Sequence, residues 1–176
     1  MRWVSAIILM LLVAAPARAG ETVALDDGLK AHVAALTGIN GPAVTRDRLD
    51  GKVVVVDFFA SWCPPCLAEF DHLNELRAAY RAEDVTIVAI NIFEDWSTFS
   101  DDGRRLDLFL ARMKPTFSVI VSDDATEHAF GGIGRIPTAM IFDRGGRPLL
   151  HFIHEVDAKK TNPDLAELRA AIDAAL

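Results

Sequence analysis

The run Val53-Val54-Val55-Val56-Asp57-Phe58-Phe59 constrains this 176-residue chain more than any other stretch, because it is apolar on both faces and mostly β-branched. A strand with one wet face alternates polar and apolar residues, so this run predicts a central strand covered on both sides. It leads directly into Ala60-Ser61-Trp62-Cys63-Pro64-Pro65-Cys66, after which Leu67, Phe70, Leu73, Leu76 and Tyr80 recur at helical spacing. Pro64 and Pro65 suit a first helical turn, where a missing N–H costs little, and Cys63 then falls at or near the N-cap. Cys63 and Cys66 are the only cysteines in the chain. A disulfide gains most of its stabilising effect by closing a long loop, and this loop is about as short as they come. A thiol at a helix N-terminus also faces unpaired N–H groups and the positive end of the dipole, which favour the thiolate. The pair therefore reads as a redox switch rather than a structural staple.

The N-terminus bears on compartment. Arg2, the uncharged apolar stretch 4–15 and Ala17-Arg18-Ala19-Gly20 have the order of a basic region, an apolar region and a small-x-small cleavage site. A secretory signal peptide is expected over residues 1–19, with a periplasmic or other extracytoplasmic destination. Fewer residues separate Arg2 from Arg18 than the about 20 of a membrane span, so a retained N-terminal anchor is the weaker reading. Removing residues 1–19 takes away Arg2 and Arg18, leaves 16 basic against 25 acidic residues, and moves the formal charge from −7 to −9. With no Lys/Arg run, nucleic acids and anionic membrane surfaces are poor partners. The remaining chain, about 157 residues, suits one domain that buries its core without covalent help. Its C-x-x-C is thus free for chemistry, and in an oxidising compartment it stays reduced only if electrons are delivered.

The remaining elements follow from pattern. A short helix is expected over 27–36, turns at 38–42 and 49–52, and a second buried strand over 85–91, making strand-helix-strand from 53 to 91 a βαβ unit. Leu106, Phe109, Leu110 and Met113 mark one face of a helix over 104–113. A short strand at 117–121 and a short helix at 124–130 precede Ile136-Pro137-Thr138, which opens a strand over 138–142. Gly145-Gly146 turns that strand into an antiparallel partner over 148–154. A last helix starts at Pro163 with Asn162 as its cap and buries Leu165, Leu168 and Ile172.

Taken together, these segments resemble the thioredoxin superfamily, and within it the exported TlpA/ResA-like branch. The stretch 56–66, with an acidic residue before two aromatics and then Trp62-Cys63-Pro64-Pro65-Cys66, is similar to the family's strand and active-site segment. Gly132-Ile133-Gly134-Arg135-Ile136-Pro137-Thr138 is similar to its cis-proline segment, and the Gly145-Gly146 hairpin and final helix follow in the family's order. The likeness covers residues 50–176. It implies an α/β thioredoxin-like fold, a mixed sheet flanked by helices, with a central αβ insertion between Asn91 and Ile133. Residues 20–49 are left as an N-terminal extension in which 41–51 could supply a hairpin.

The resemblance implies a thiol:disulfide oxidoreductase, with Cys63 as nucleophile and Cys66 as resolving thiol. Asp57 stands alone in an apolar strand, where desolvation raises a carboxyl toward neutrality, and the family assigns such a residue the proton of Cys66; the ordinary alternative is an ion pair at the sheet edge. Pro137, by resemblance, is cis and faces the cysteines, the backbone of Ile136 pairs with an incoming peptide, and Trp62 shapes the docking surface. Glu69 either modulates Cys66 or, more ordinarily, is a solvent-facing helix charge. The five histidines form no ligand set by sequence: His151 and His154 fall on opposite faces of a strand, and His32, His72 and His128 are scattered and read as solvated or core residues. No cofactor or metal is expected. Implied substrates are protein disulfides, such as the haem-binding cysteines of an apocytochrome c or the thiols of a copper-assembly protein, with a membrane thiol reductase of the DsbD/CcdA type as electron donor. Three rivals share these residues: a metallochaperone holding Cu(I) as thiolates, a disulfide oxidase or isomerase of the same fold, and, less favoured because no separate peroxidatic cysteine exists, a peroxidase of the peroxiredoxin branch.

Overall fold

A computed structural model describes residues 23–97, 103–155 and 157–176; the expected signal peptide lies outside them. Along the chain the elements are α1 (Asp27–Ala35), β1 (Thr37–Asn40), α2 (Arg46–Leu49), β2 (Val53–Phe59), α3 (Pro64–Ala79), β3 (Val85–Asn91), a 3-10 turn (Glu94–Trp96), α4 (Arg104–Met113), β4 (Ser118–Val121), α5 (Thr126–Ala129), β5 (Thr138–Phe142), β6 (Pro148–Ile153) and α6 (Leu165–Asp173). Among the described residues the strands form one six-stranded mixed sheet in the order β1-β4-β3-β2-β5-β6. β2 pairs in parallel with β3 and antiparallel with β5, so the apolar run of residues 53–59 lies inside the sheet, buried throughout. This is the thioredoxin-like mixed sheet flanked by helices that the resemblance implies.

Because side chains alternate along a strand, β2 feeds two cores. Val53, Val55 and Phe59 pack with Phe70, Leu73 and Leu76 of α3, Phe109 of α4 and Leu168 and Ile172 of α6. Val54, Val56 and Phe58 pack on the other face with Leu29 and Val33 of α1, Leu49 of α2 and Phe130 after α5. Phe59, Phe70 and Phe109 interlock as an aromatic cluster, with ring centroids 4.6 to 5.2 Å apart. Asp57 shares its register with Val55 and Phe59, so alternation aims it at the α3 side.

Two expectations about the N-terminal part are corrected. Residues 41–51 form no hairpin: β1 pairs antiparallel with β4, and α2 occupies 46–49. The segment is also no appendage, since Leu25, Leu29, Val33, Val44 and Leu49 are buried in the second core. Close backbone approach fixes it. The amide of Leu25 donates to the Gly146 carbonyl at 2.8 Å, and Gly146, at φ 81°, leaves no room for a Cβ, which would sit 2.2 Å from the Leu25 oxygen. Gly41, at φ 73°, is pressed likewise against the Phe117 carbonyl. At the other end of the chain, the cap of α6 is Asp164 and not Asn162. Asp164 accepts from the Glu167 amide at 2.9 Å while Glu167 accepts from the Asp164 amide at 2.9 Å, a reciprocal box that satisfies two otherwise unpaired donors.

Candidate active site

α3 begins where the sequence places it, with Cys63 at the N-cap and Pro64 and Pro65 in the first turn. Cys63 and Cys66 are joined in a disulfide, with Cα atoms 5.4 Å apart. Cys63 is 4% exposed and Cys66 not at all, so an incoming group reaches the pair through Cys63. In this state the Cys66 amide donates to the Cys63 carbonyl at 3.2 Å.

Two carboxyls are buried where β2 meets α3. Asp57 is fully buried, and its cross-strand neighbours on β3 and β5 are Ala89 and Ala139, which offer neither donor nor cation. No ion pair at a sheet edge is present. Glu69 is the second, and it corrects the reading of a solvent-facing charge: it too is fully buried. The signal was present in the spacing, since Cys66, Glu69, Phe70, Leu73 and Leu76 form the buried stripe of α3, and a residue three positions after Cys66 shares its face. Burial pushes both carboxyls up, Asp57 to about 8 and Glu69 well above the usual carboxylate range, where the Asp57 charge raises it further. A hydrogen bond with Glu69 holds Asp57 below the level burial alone would set. Two carboxylates present acceptors only, so that bond exists when one of them carries a proton; without it all four oxygens lack a donor. The pair is therefore a buried, donor-poor carboxyl couple with raised proton affinity, Glu69 sharing the α3 face of Cys66.

A third acid, Glu94, is of a different kind. Its carboxylate accepts from the Ser61 amide at 2.6 Å, the Ser61 hydroxyl at 2.7 Å and the Asn91 side-chain amide at 2.6 Å. Alongside, the Trp62 indole N–H donates to the Phe93 carbonyl at 2.8 Å. These bonds fasten the turn that follows β3 to the segment that carries Cys63. Nothing in the local sequence distinguishes Glu94 from the neighbouring acids, and the sequence reading passed over it.

The Ile136–Pro137 peptide bond is cis. The Ile136 carbonyl accepts from Nδ1 of His154 at 3.2 Å, and the His154 amide donates to the Pro137 carbonyl at 3.1 Å. β6 ends at Ile153, so His154 lies beyond the strand on which it was expected to oppose His151, and it reaches the site. Trp62, Cys63, Ile136 and His154 line one cleft of about 320 Å³, to which Trp96 adds a wall. Two residues singled out in the sequence, Trp62 and Ile136, thus line the same cleft as Cys63, while Trp96 and His154 join them from parts of the chain that carried no signal. A larger cavity, about 700 Å³, is bordered by Leu29, His32 and His128; it holds no thiol, so its size does not make it the reactive centre.

This arrangement suits dithiol–disulfide exchange: one cysteine lines a cleft at a helix N-terminus and the other is fully buried. Comparison with known proteins agrees. The Redoxin family matches residues 19–172. The thiol-disulfide oxidoreductase ResA of Geobacillus thermodenitrificans is 28% identical over 128 residues, 72% of this chain and 69% of that protein. A crystal structure of a Chlorobium tepidum protein assigned as thiol:disulfide interchange protein DsbE is 30% identical, superposes with a TM-score of 0.59, and covers 81% of this chain and 94% of its own. StoA from Bacillus subtilis, at 20% identity, TM-score 0.60, and 80% and 98% coverage, shares the fold. The chain belongs to the Redoxin family, as a ResA-like oxidoreductase of the thioredoxin superfamily.

Proposed function

We propose that this protein is an exported thiol:disulfide oxidoreductase working in the reductive direction, with Cys63 as nucleophile, Cys66 as resolving thiol and Asp57 as the proton acceptor of Cys66. In the reduced protein the Cys63 thiolate attacks one sulfur of a substrate disulfide, the substrate S–S bond breaks, and its second sulfur leaves as a thiolate. Cys66 passes its proton to the Asp57–Glu69 pair and attacks the Cys63 sulfur. The mixed disulfide breaks, two electrons have moved to the substrate, and the Cys63–Cys66 disulfide remains. An external dithiol returns the electrons. Trp62, the Ile136 backbone and Pro137 form the surface on which the substrate chain docks.

The observation that carries this reading is the asymmetry of the pair, with Cys63 accessible at a helix N-cap and Cys66 sealed beside two carboxyls that have no fixed donor. The export pattern in residues 1–19 supports an extracytoplasmic site of action, where apocytochrome c cysteines or a copper-assembly protein would be substrates and a membrane thiol reductase of the DsbD/CcdA type the donor. No helix among the described residues is long and apolar enough to cross a membrane.

The deciding experiment is the equilibrium reduction potential of the Cys63/Cys66 pair in protein lacking residues 1–19. A value at or below about −230 mV, toward thioredoxin's about −270 mV, is expected of a reductant with a dedicated donor; a value near DsbA's about −120 mV makes the protein an oxidant and removes the proposed assembly role.

A further inference from the structure

Five large apolar side chains are exposed among the described residues, and two of them, Trp96 and Ile153, lie at the disulfide cleft or the cavity beside it. Trp96 is 55% exposed yet held in place. Its ring lies flat on Phe93, with centroids 3.8 Å apart and planes 15° from parallel. Phe93 itself sits at φ 60°, an unfavourable conformation for a bulky side chain, and the next residue, Glu94, locks the turn to Ser61. An indole is thus presented, one face covered and the other open, by a turn clamped to the segment that bears Cys63.

We infer that Trp96 selects the substrate: the cleft over the disulfide takes an extended polypeptide with a bulky aromatic side chain next to the cysteine under attack, and that side chain stacks on Trp96. This rests on the thiol-exchange reading above. Any disulfide that Cys63 attacks must seat its sulfur at this cleft, so the residues flanking the substrate cysteine contact its walls. Trp62, Pro64, Pro65, Trp96 and Ile136 give the cleft an apolar side, with Arg135, His154 and Glu155 at its other edge, and the apolar side rewards aromatic stacking. The chain has room to continue. A second cavity of about 310 Å³ shares Gly134, Arg135 and Glu155 with the cleft and reaches Ile153. The Arg135–Glu155 ion pair at 3.2 Å lies at this junction, and both side chains are well exposed, so displacing it costs little.

The test uses two disulfide-bonded peptides that differ only in the residue beside the cysteine, Trp in one and Gly in the other, reduced by the wild-type protein and by Trp96→Ala and Trp96→Phe. Wild type is expected to favour the Trp peptide by about tenfold in kcat/KM, carried by KM, as an aromatic pair provides. Trp96→Ala brings the ratio close to one, and Trp96→Phe restores most of it. A wild-type ratio near one, a preference that survives Trp96→Ala, or a failure of Trp96→Phe to restore it overturns the inference. Absence of exchange between the wild-type protein and either peptide would instead count against the oxidoreductase reading itself.

Discussion

Asp57 with Glu69 and Glu94 with Ser61 are two carboxyl sites near one cysteine-bearing segment, and they have opposite surroundings. Glu94 receives three donors and ties the turn after β3 to the Cys63 segment. Asp57 and Glu69 receive none from the rest of the protein and are fully buried. A buried carboxyl without donors gains little from ionising and holds its proton to higher pH. Residue type is nearly the same in the two sites. The donor count separates a pair whose burial raises its proton affinity from a carboxylate whose bonds organise the backbone.

The largest effect that would break this contrast comes from Asp57→Asn. Since the amide cannot take up a proton, collapse of the mixed disulfide through Cys66 should slow by a factor on the order of 10² or more. Its formation through Cys63 should change far less. Rapid-mixing measurement of both phases against a labelled disulfide checks this, and an unchanged second phase would remove the proton-acceptor role.

Next in size is the dependence of stability on pH. In the folded, oxidised protein Asp57 holds its proton up to about 8, whereas in the unfolded chain it ionises near 4. Between those values the folded state binds more protons, so the contribution of Asp57 to stability is fully present below about 4 and is lost as pH rises through the folded value. Thermal melts from pH 4 to 9 should show wild type losing several degrees against Asp57→Asn toward the alkaline end, with the two close together near pH 4. A constant offset across the range would show that Asp57 does not titrate in this window.

The smallest expected effect sharpens the comparison from the other side. Glu94→Gln keeps the shape but removes the charge and replaces one acceptor oxygen with a donor facing Ser61 or Asn91. A loss of about 1 to 2 kcal/mol is expected, at the modest end for charged hydrogen bonds because the site is partly open to solvent. Denaturant melts at neutral pH measure it, and an unchanged midpoint would remove the anchoring role of Glu94.

How much of this was legible beforehand depended on the range of the interaction. The strand over residues 53–59, the start of α3 at Pro64 with Cys63 as its cap, and the β5–β6 hairpin at Gly146 follow from periodicity and turn chemistry within a few residues, and all were readable. Asp57 was conspicuous as the lone charge in an apolar run. Glu69 was half readable: the stripe spacing put it beside Cys66, but a glutamate on a helix is ordinarily solvated, and only the fold shows that its face is covered by the sheet. The 41–51 stretch was misjudged because β1 finds its partner in β4, some 80 residues away in sequence. The α6 cap went to Asp164 over Asn162 because Glu167 is in position to answer it.

The sequence by itself determined the central strand, the cysteine pair at a helix start, the Ile136-Pro137 motif and the family to which such a combination belongs, since each rests on local sterics, side-chain periodicity or a short motif. Only the tertiary structure decided which acids are buried without donors and which are tied into hydrogen bonds, and which aromatic and imidazole groups line the cleft with Cys63. Burial and hydrogen-bond partners are properties of assembled surfaces. Glu94 meets Ser61 across 33 positions and His154 meets Ile136 across 18, and the sheet order that joins them is set by the packing of β2 between two cores.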